Sequence, residues 1–228
     1  MKKRTFILSL VLSLALVFSA FTSVFAAAPA TEATKKAIVD AKVQSVPTLK
    51  NEVDAEAFAK ALYDQATEGK YQLIDTATLK NELGKVVIID TMPEAWYNQR
   101  HIPGAVCQIV GANNGPEFKI LPEEKTALLK TAKAAVGKKT VTKWYNKKTK
   151  KWTTKKPAKK YRGKSKKVKV VNKDKKIVVY CGFVKCQRSH QAAMFLTEQG
   201  FTNVYRYAGG ISAWVDANNE IEGTDVAQ

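Results

Sequence analysis

Two periodicities alternate along this chain. From Val53 to Gly69 the apolar positions Ala57, Phe58, Ala61, Leu62 and Ala66 recur at helical spacing, Asp54 is placed to cap the start and Gly69 follows the end. Tyr71 to Ile74 reads as a short strand, Asp75 to Leu83 as one or two helical turns stopped by Gly84, and Val86 to Asp90 (VVIID) as an unbroken apolar run. Such a run lacks the in-and-out alternation of a half-exposed strand, so it predicts a strand covered on both faces. Helical spacing returns through Leu121, Leu128, Leu129, Ala132 and Val136, closed by Gly137. Ile177 to Cys181 (IVVYC) is a second doubly covered run, and Asn203 to Tyr207 is a third strand. Between them, Ser189 to Gln199 predicts a helix with Ala192, Ala193, Phe195 and Leu196 facing inward and Gly200 at its end. Strands alternating with helices predict an α/β fold, a parallel sheet with helices on both faces.

The alternation stops between Gly137 and Ile177. Val141, Trp144, Trp152 and Tyr161 punctuate a lysine-rich stretch in which TKWYNKKTKKWTT has the form of two strands about a polar turn. A second pair is expected from Val168 to Val171 with Ile177 to Tyr180, turning at Asn172 to Lys175. The prediction is a basic β-ribbon insertion over 138–170, with disorder over Lys155 to Lys167 as the alternative. Charge sharpens this picture. The 228 residues carry a net +18, and eighteen lysines and one arginine against one aspartate between Lys138 and Lys176 account for all of it. The remainder is neutral. A hydrophobic content of 45% excludes a collagen-like or wholly disordered chain, and three cysteines exclude a disulfide-dense miniprotein.

The first 26 residues have the layout of a signal peptide: Lys2, Lys3 and Arg4, an apolar run from Phe6 to Phe21, and Val24-Phe25-Ala26 before a cleavage point. The run is shorter than the roughly 20 residues that a spanning helix needs, which disfavours an uncleaved anchor. The expected organisation is a signal at 1–26, a tether and helix at 27–69, an α/β domain at 70–222 and a tail at 223–228, in a protein exported to the periplasm or beyond the cell. Cys107, Cys181 and Cys186 are an odd number for an exported chain, and a thiol left over in such a compartment is suspected of reactivity.

The densest chemistry is YCGFVKCQRSH, Tyr180 to His190. A buried strand ends at Cys181 and a helix begins near Ser189. The loop between them, Gly182, Phe183, Val184, Lys185, Cys186 and Gln187, is expected to turn its amides inward beside the positive end of the helix, with Arg188 adding charge. That environment lowers the pKa of a thiol, here expected at Cys181, and cradles an anion, so it suits a nucleophile for anionic sulfur or oxyanion substrates.

The same loop joins a wider pattern: VVIID ending at Asp90, HIPGA at His101 to Ala105, VVYC ending at Cys181, Arg188-Ser189 followed by Ala192-Ala193, Gly200-Phe201, and Gly209, Gly210, Ala213 and Trp214. In this order the chain resembles the rhodanese family of sulfurtransferases from about Tyr71 to Trp214, apart from the insertion. The resemblance implies a rhodanese-like fold and sulfane-sulfur transfer without a metal or organic cofactor. Cys181 would attack a small anionic donor such as thiosulfate or polysulfide, hold the sulfur as a persulfide within the loop, and pass it to a thiol or protein acceptor. Arg188 would orient the donor, and the loop residues with Ser189 would bind it.

Two departures matter. The family's sulfurtransferases usually count six residues from Cys to Arg and related phosphatases seven, whereas Cys181 to Arg188 makes eight, which implies a wider pocket. Cys186 is also a candidate resolving thiol for Cys181. The alternatives are a thiol–disulfide or phosphatase-like enzyme using the enlarged loop, and a non-catalytic module that binds a partner. A metal site at Cys181, Cys186 and His190 lacks a fourth ligand. Asp90, His101, Cys107, Phe201 and Trp214 are expected to be structural, and His190 to sit at the pocket rim or on the surface. For Lys138 to Lys176 the expected partner is an anionic envelope surface, such as lipid headgroups or wall polyanions, with steering of anionic donors as a further role. Nucleic acid is disfavoured by export.

Overall fold

The two unbroken apolar runs become the middle of the sheet. The structure, a computed structural model, describes residues 28–29, 52–111 and 118–225, so the signal segment and nearly all of the tether lie outside the described residues. In chain order the elements are β1 (Ala28–Pro29), α1 (Glu52–Glu68), β2 (Gln72–Leu73), α2 (Thr76–Asn81), β3 (Val87–Asp90), α3 (Glu94–Gln99), β4 (Val106–Cys107) and α4 (Pro122–Val136). They continue with β5 (Lys138–Asn146), β6 (Lys151–Thr153), β7 (Arg162–Val171), β8 (Ile177–Tyr180), α5 (Gln187–Glu198), β9 (Val204–Tyr207), α6 (Gly210–Asp216) and β10 (Glu220–Ile221).

β2, β9, β8, β3 and β4 form one parallel sheet in that order, with Val87 opposite Ile177 and Asp90 opposite Tyr180. β3 and β8 are buried throughout, because alternate residues serve two separate cores. Ile88, Val178 and Tyr180 meet Trp214, Val215, Leu79 and Ile102 on one face; Val87, Ile89, Ile177 and Val179 meet Leu128, Ala132, Ala192 and Leu196 on the other. Burying each such aliphatic side chain contributes about 1.5–3 kcal/mol, which is why no polar residue interrupts either run before its end. The helix ends follow their sequence signals. Asp75 caps α2 by accepting from the Thr78 amide and hydroxyl, both at 2.8 Å, and these bonds hold its carboxyl below the usual range. Glu124 accepts from the Leu121 amide at 2.9 Å at the start of α4, and Gly137 ends that helix at φ +65°.

The insertion is a three-stranded antiparallel sheet in the order β6-β5-β7. The expected ribbon over TKWYNKKTKKWTT is present, with Trp144 opposite Thr153 and Tyr145 opposite Trp152. The expected second hairpin is not. Val168 to Val171 pairs with Lys138 to Val141 of β5, while Ile177 to Tyr180 enters the parallel sheet between β3 and β9. A strand as apolar as IVVY needs cover on both faces, which a surface hairpin cannot supply. Residues 155–167, for which disorder was the alternative, form a turn, a 3-10 segment at Lys159–Tyr161 and the start of β7. The Arg162 guanidinium ties that turn down by donating twice to the Pro157 carbonyl, at 3.3 Å each.

α6 carries the contact that fixes the loop after β8. Gly210 sits at φ +62°, and a Cβ there would lie 2.3 Å from the Cys181 carbonyl oxygen and 2.7 Å from the Gly182 carbonyl carbon. This approach lets the Ile211 and Ser212 amides donate to the carbonyls of Cys181 and Gly182, both at 2.9 Å. Gly210→Ala is therefore expected to cost about 1–3 kcal/mol from the left-handed backbone alone and more from the clash, for a Tm lowered by at least roughly 2–10 °C in a chain of this size. Gly84→Ala, at φ +73° with nothing within 4 Å, is the control that shares the backbone penalty without the clash. Thermal unfolding of the two variants checks this, and equal falls in Tm would show that the loop does not depend on the close approach.

Candidate active site

β3 and β8 end level with each other, and the chain then leaves β3 towards β4 on one side and β8 towards β9 on the other. In a parallel sheet this divergence opens a crevice beyond the strand ends. Cys181 is the first residue past β8. Its carbonyl and that of Gly182 are held by α6, the Cys186 amide closes back on the Phe183 carbonyl at 2.9 Å, and α5 begins at Gln187. The loop is thus short, tied at both ends, and contains two thiols.

Cys181 is 1% exposed. Its Sγ donates to the Cys186 carbonyl oxygen at 3.5 Å and lies 3.3 Å from Ser189 Oγ. Burial, with the adjoining Cys186 sulfur, pushes the Cys181 thiol well above its ordinary value. Cys186 is 8% exposed, and its thiol is lowered to about 6. The largest cause is the hydrogen bond from Cys181; burial opposes it, and the Arg188 amide, the Arg188 charge and the Gly182 amide add to it. The acidic thiol expected at Cys181 is therefore Cys186. The start of α5 faces both sulfurs: the Ser189 amide and hydroxyl act on Cys181, where burial outweighs them, and the Arg188 amide and charge act on Cys186.

The Arg188 side chain turns towards the segment after β4. Its Nε donates to the Val110 carbonyl at 3.1 Å, and its guanidinium carbon stands 5.5 Å from the centre of the Phe118 ring, which braces the segment after β4. The side chain directly beneath the loop is Arg206 of β9, which is 0% exposed. Its Nε donates to Ser189 Oγ at 3.1 Å, Nη1 to Gln65 Oε1 at 2.7 Å, and Nη2 to the carbonyls of Val184 and Cys186 at 3.2 and 3.0 Å. Every one of these acceptors is neutral. Burying a guanidinium costs several kcal/mol, which only such a complete set of bonds offsets. Arg206 thereby holds Ser189 Oγ in place 3.3 Å from Cys181 Sγ. Arg206 and Gln65 were not singled out from the sequence. The available signals were an arginine between the buried Val204 and Tyr207, and a glutamine on the apolar stripe of α1.

The remaining loop residues face α1. Val184, Lys185 and Gln187 line a cleft of about 250 Å³ with Phe58, Ala61, Leu62 and Gln65, and Gln65 donates to Gln187 Oε1 at 3.3 Å. Phe183 packs onto the core beneath. Asp90 is fully buried, and its Oδ1 accepts from the Met92 amide at 2.8 Å rather than from Arg188. Burial, reinforced by Cys186 and opposed by hydrogen bonds from Tyr180 and Met92, raises its carboxyl to about 7. His101 stacks on Tyr97 with ring centres 3.8 Å apart and bridges through its backbone to Glu222, while the neighbouring Ile102 amide donates to Tyr180 Oη at 3.0 Å. His190 lies neither at the rim nor on the surface: it is buried, 2.8 Å from Tyr71 Oη through Nδ1, and burial and the Arg206 charge lower its pKa. Cys107 is half-buried, and burial with the charges of Asp90 and Glu94 pushes its thiol to about 11. Among the described residues no group of three or more His, Cys, Asp or Glu side chains is placed to hold a metal ion.

No curated protein matches the chain. Solved structures similar to it include the rhodanese-like domain of an Anabaena protein, at 19% identity over 66% of this chain and 78% of that one, with a TM-score of 0.40. A thiosulfate sulfurtransferase from Pseudomonas aeruginosa is 16% identical over 71% of this chain and 22% of its own, with a TM-score of 0.42. A polysulfide-sulfur transferase from Wolinella succinogenes is 14% identical over 74% of this chain and 91% of its own, with a TM-score of 0.39. The family model for the Rhodanese-like domain matches residues 75–217, a span that holds β3, β8, the two-thiol loop and the Gly210 contact. That match covers more than half of the 228 residues, and the chain belongs to the rhodanese-like domain family.

Proposed function

We propose that this protein transfers sulfane sulfur through a cysteine persulfide formed in the loop from Cys181 to Arg188. The donor is a small anion such as thiosulfate or polysulfide, and the acceptor is a thiol, free or on a protein. The observation that carries this reading is a short loop at a parallel strand end, tied by α6 at one side and by the start of α5 at the other, that holds two cysteines and in which a neighbouring thiol, two amides and a guanidinium shift the Cys186 thiol towards the anion. With thiosulfate, the thiolate attacks the outer sulfur, the sulfur–sulfur bond breaks, and sulfite leaves with the electron pair. The persulfide anion then occupies the ground of the thiolate, so the same dipoles hold it. A nucleophilic acceptor takes the outer sulfur and returns the thiolate.

In this reading the protein acts after export, and the lysine-rich sheet serves attachment to an anionic envelope surface, not the chemistry. Lys138 and Val171 are paired neighbours, so the sheet leaves and re-enters the domain at one place. Each lysine near an anionic membrane adds about 1 kcal/mol.

The protein incubated with thiosulfate or polysulfide is expected to gain about 32 Da per sulfur atom, and cyanide is expected to remove the gain. Neither added mass at early times nor released hydrosulfide with either donor contradicts the transfer reading. Replacing residues 138–171 by a short turn is expected to abolish salt-sensitive sedimentation with anionic phosphatidylglycerol vesicles while sulfur uptake persists. Sedimentation that is unchanged by the excision contradicts the attachment reading.

A further inference from the structure

The two thiols differ in access, and the difference runs against their order in the chain. Cys181 Sγ is sealed beneath the loop, engaged with the Cys186 carbonyl and the Ser189 hydroxyl. Cys186 is the more exposed of the two and immediately precedes α5, with the Arg188 and Gly182 amides directed at its sulfur. The residues on either side of it, Lys185 and Gln187, line the cleft against α1. Of the two cysteines, Cys186 is therefore the one whose neighbours in the chain open onto a cleft. Cys181 Sγ lies 3.5 Å from the Cys186 carbonyl oxygen, so the two cysteines adjoin across the loop.

From this arrangement we infer that Cys186 accepts the sulfane sulfur and that Cys181 resolves the resulting persulfide, releasing hydrosulfide and leaving a Cys181–Cys186 disulfide. The inference rests on the transfer reading above and deepens it. In the first step the Cys186 thiolate takes the outer sulfur of thiosulfate and sulfite departs. In the second, Cys181 attacks the inner sulfur of the Cys186 persulfide, its proton goes to the outer sulfur, and that sulfur leaves as hydrosulfide with the bonding pair. The sulfane sulfur gains two electrons, and the two cysteines lose them. A dithiol reductant restores the pair and completes a turnover. The thiol acidity agrees with this assignment, since the more ionised sulfur is the better placed attacker at neutral pH.

Trypsin cleaves after Lys185, between the two cysteines, so peptide mass separates them. Wild-type protein treated with thiosulfate, alkylated early and digested, is expected to show added sulfur on the Cys186 peptide. At completion it is expected to have lost about 2 Da as the disulfide and to have released one equivalent of hydrosulfide per chain. Cys181→Ser is expected to hold about 32 Da at Cys186 and to release no hydrosulfide without an added thiol. Cys186→Ser is expected to load roughly tenfold more slowly or worse. Early sulfur on the Cys181 peptide, or a wild-type persulfide that persists without hydrosulfide release or disulfide, overturns the assignment while leaving sulfur transfer intact. Neither added sulfur nor hydrosulfide from the wild type overturns both. The early wild-type digest decides the order of attack even if a variant fails to fold.

Discussion

The burial of two cysteines in one short loop, with Cys181 Sγ donating to the Cys186 carbonyl, sets which thiol loses its proton more readily. Two buried thiols a few ångströms apart cannot both ionise cheaply, so the first proton lost makes the second harder to remove. The one that keeps its proton becomes the donor that stabilises the other. Here burial pushes the Cys181 thiol up, while the neighbouring thiol, the Arg188 and Gly182 amides and the Arg188 charge push the Cys186 thiol down. The proposed dithiol chemistry rests on that division.

The division holds only while the loop keeps its shape, and two contacts maintain it from opposite sides. Gly210 lets α6 press its amides onto the carbonyls of Cys181 and Gly182. Arg206, from the strand below, gathers the carbonyls of Val184 and Cys186, the Ser189 hydroxyl and Gln65. The second contact also explains why α1 belongs against this domain. Through Gln65 it supplies the acceptor for Arg206 Nη1, and it walls the cleft beside Lys185 and Gln187. A helix outside the 75–217 family match thereby contributes to the site.

Much of the fold was legible because it depends on local pattern. VVIID and IVVYC could only be doubly covered strands, and Asp75, Gly137 and Gly200 punctuate helices by chemistry confined to a few residues. The partner of β7 was not legible, because alternation marks Val168 to Val171 as a strand without naming what it pairs with. The site divides in the same way. Placing Cys181 and Cys186 in one loop at a strand end needed only sequence order. Deciding which sulfur is more acidic needed the burial of each, since amides at the helix start act on both thiols. Arg206 was visible only as an anomaly, a charge inside an apolar strand, whose purpose depends on residues brought to it from 141 and 17 positions away.

The account stands or falls on the acidity of Cys186. The rate of iodoacetamide alkylation, followed from pH 4 to 10 by tryptic mapping of the two cysteine peptides, measures it directly. The structure predicts that the Cys186 peptide is labelled with a midpoint of about 6, while Cys181 stays unlabelled until far higher pH. A Cys186 midpoint near the ordinary thiol value of about 8.5, or labelling of Cys181 first, would contradict it.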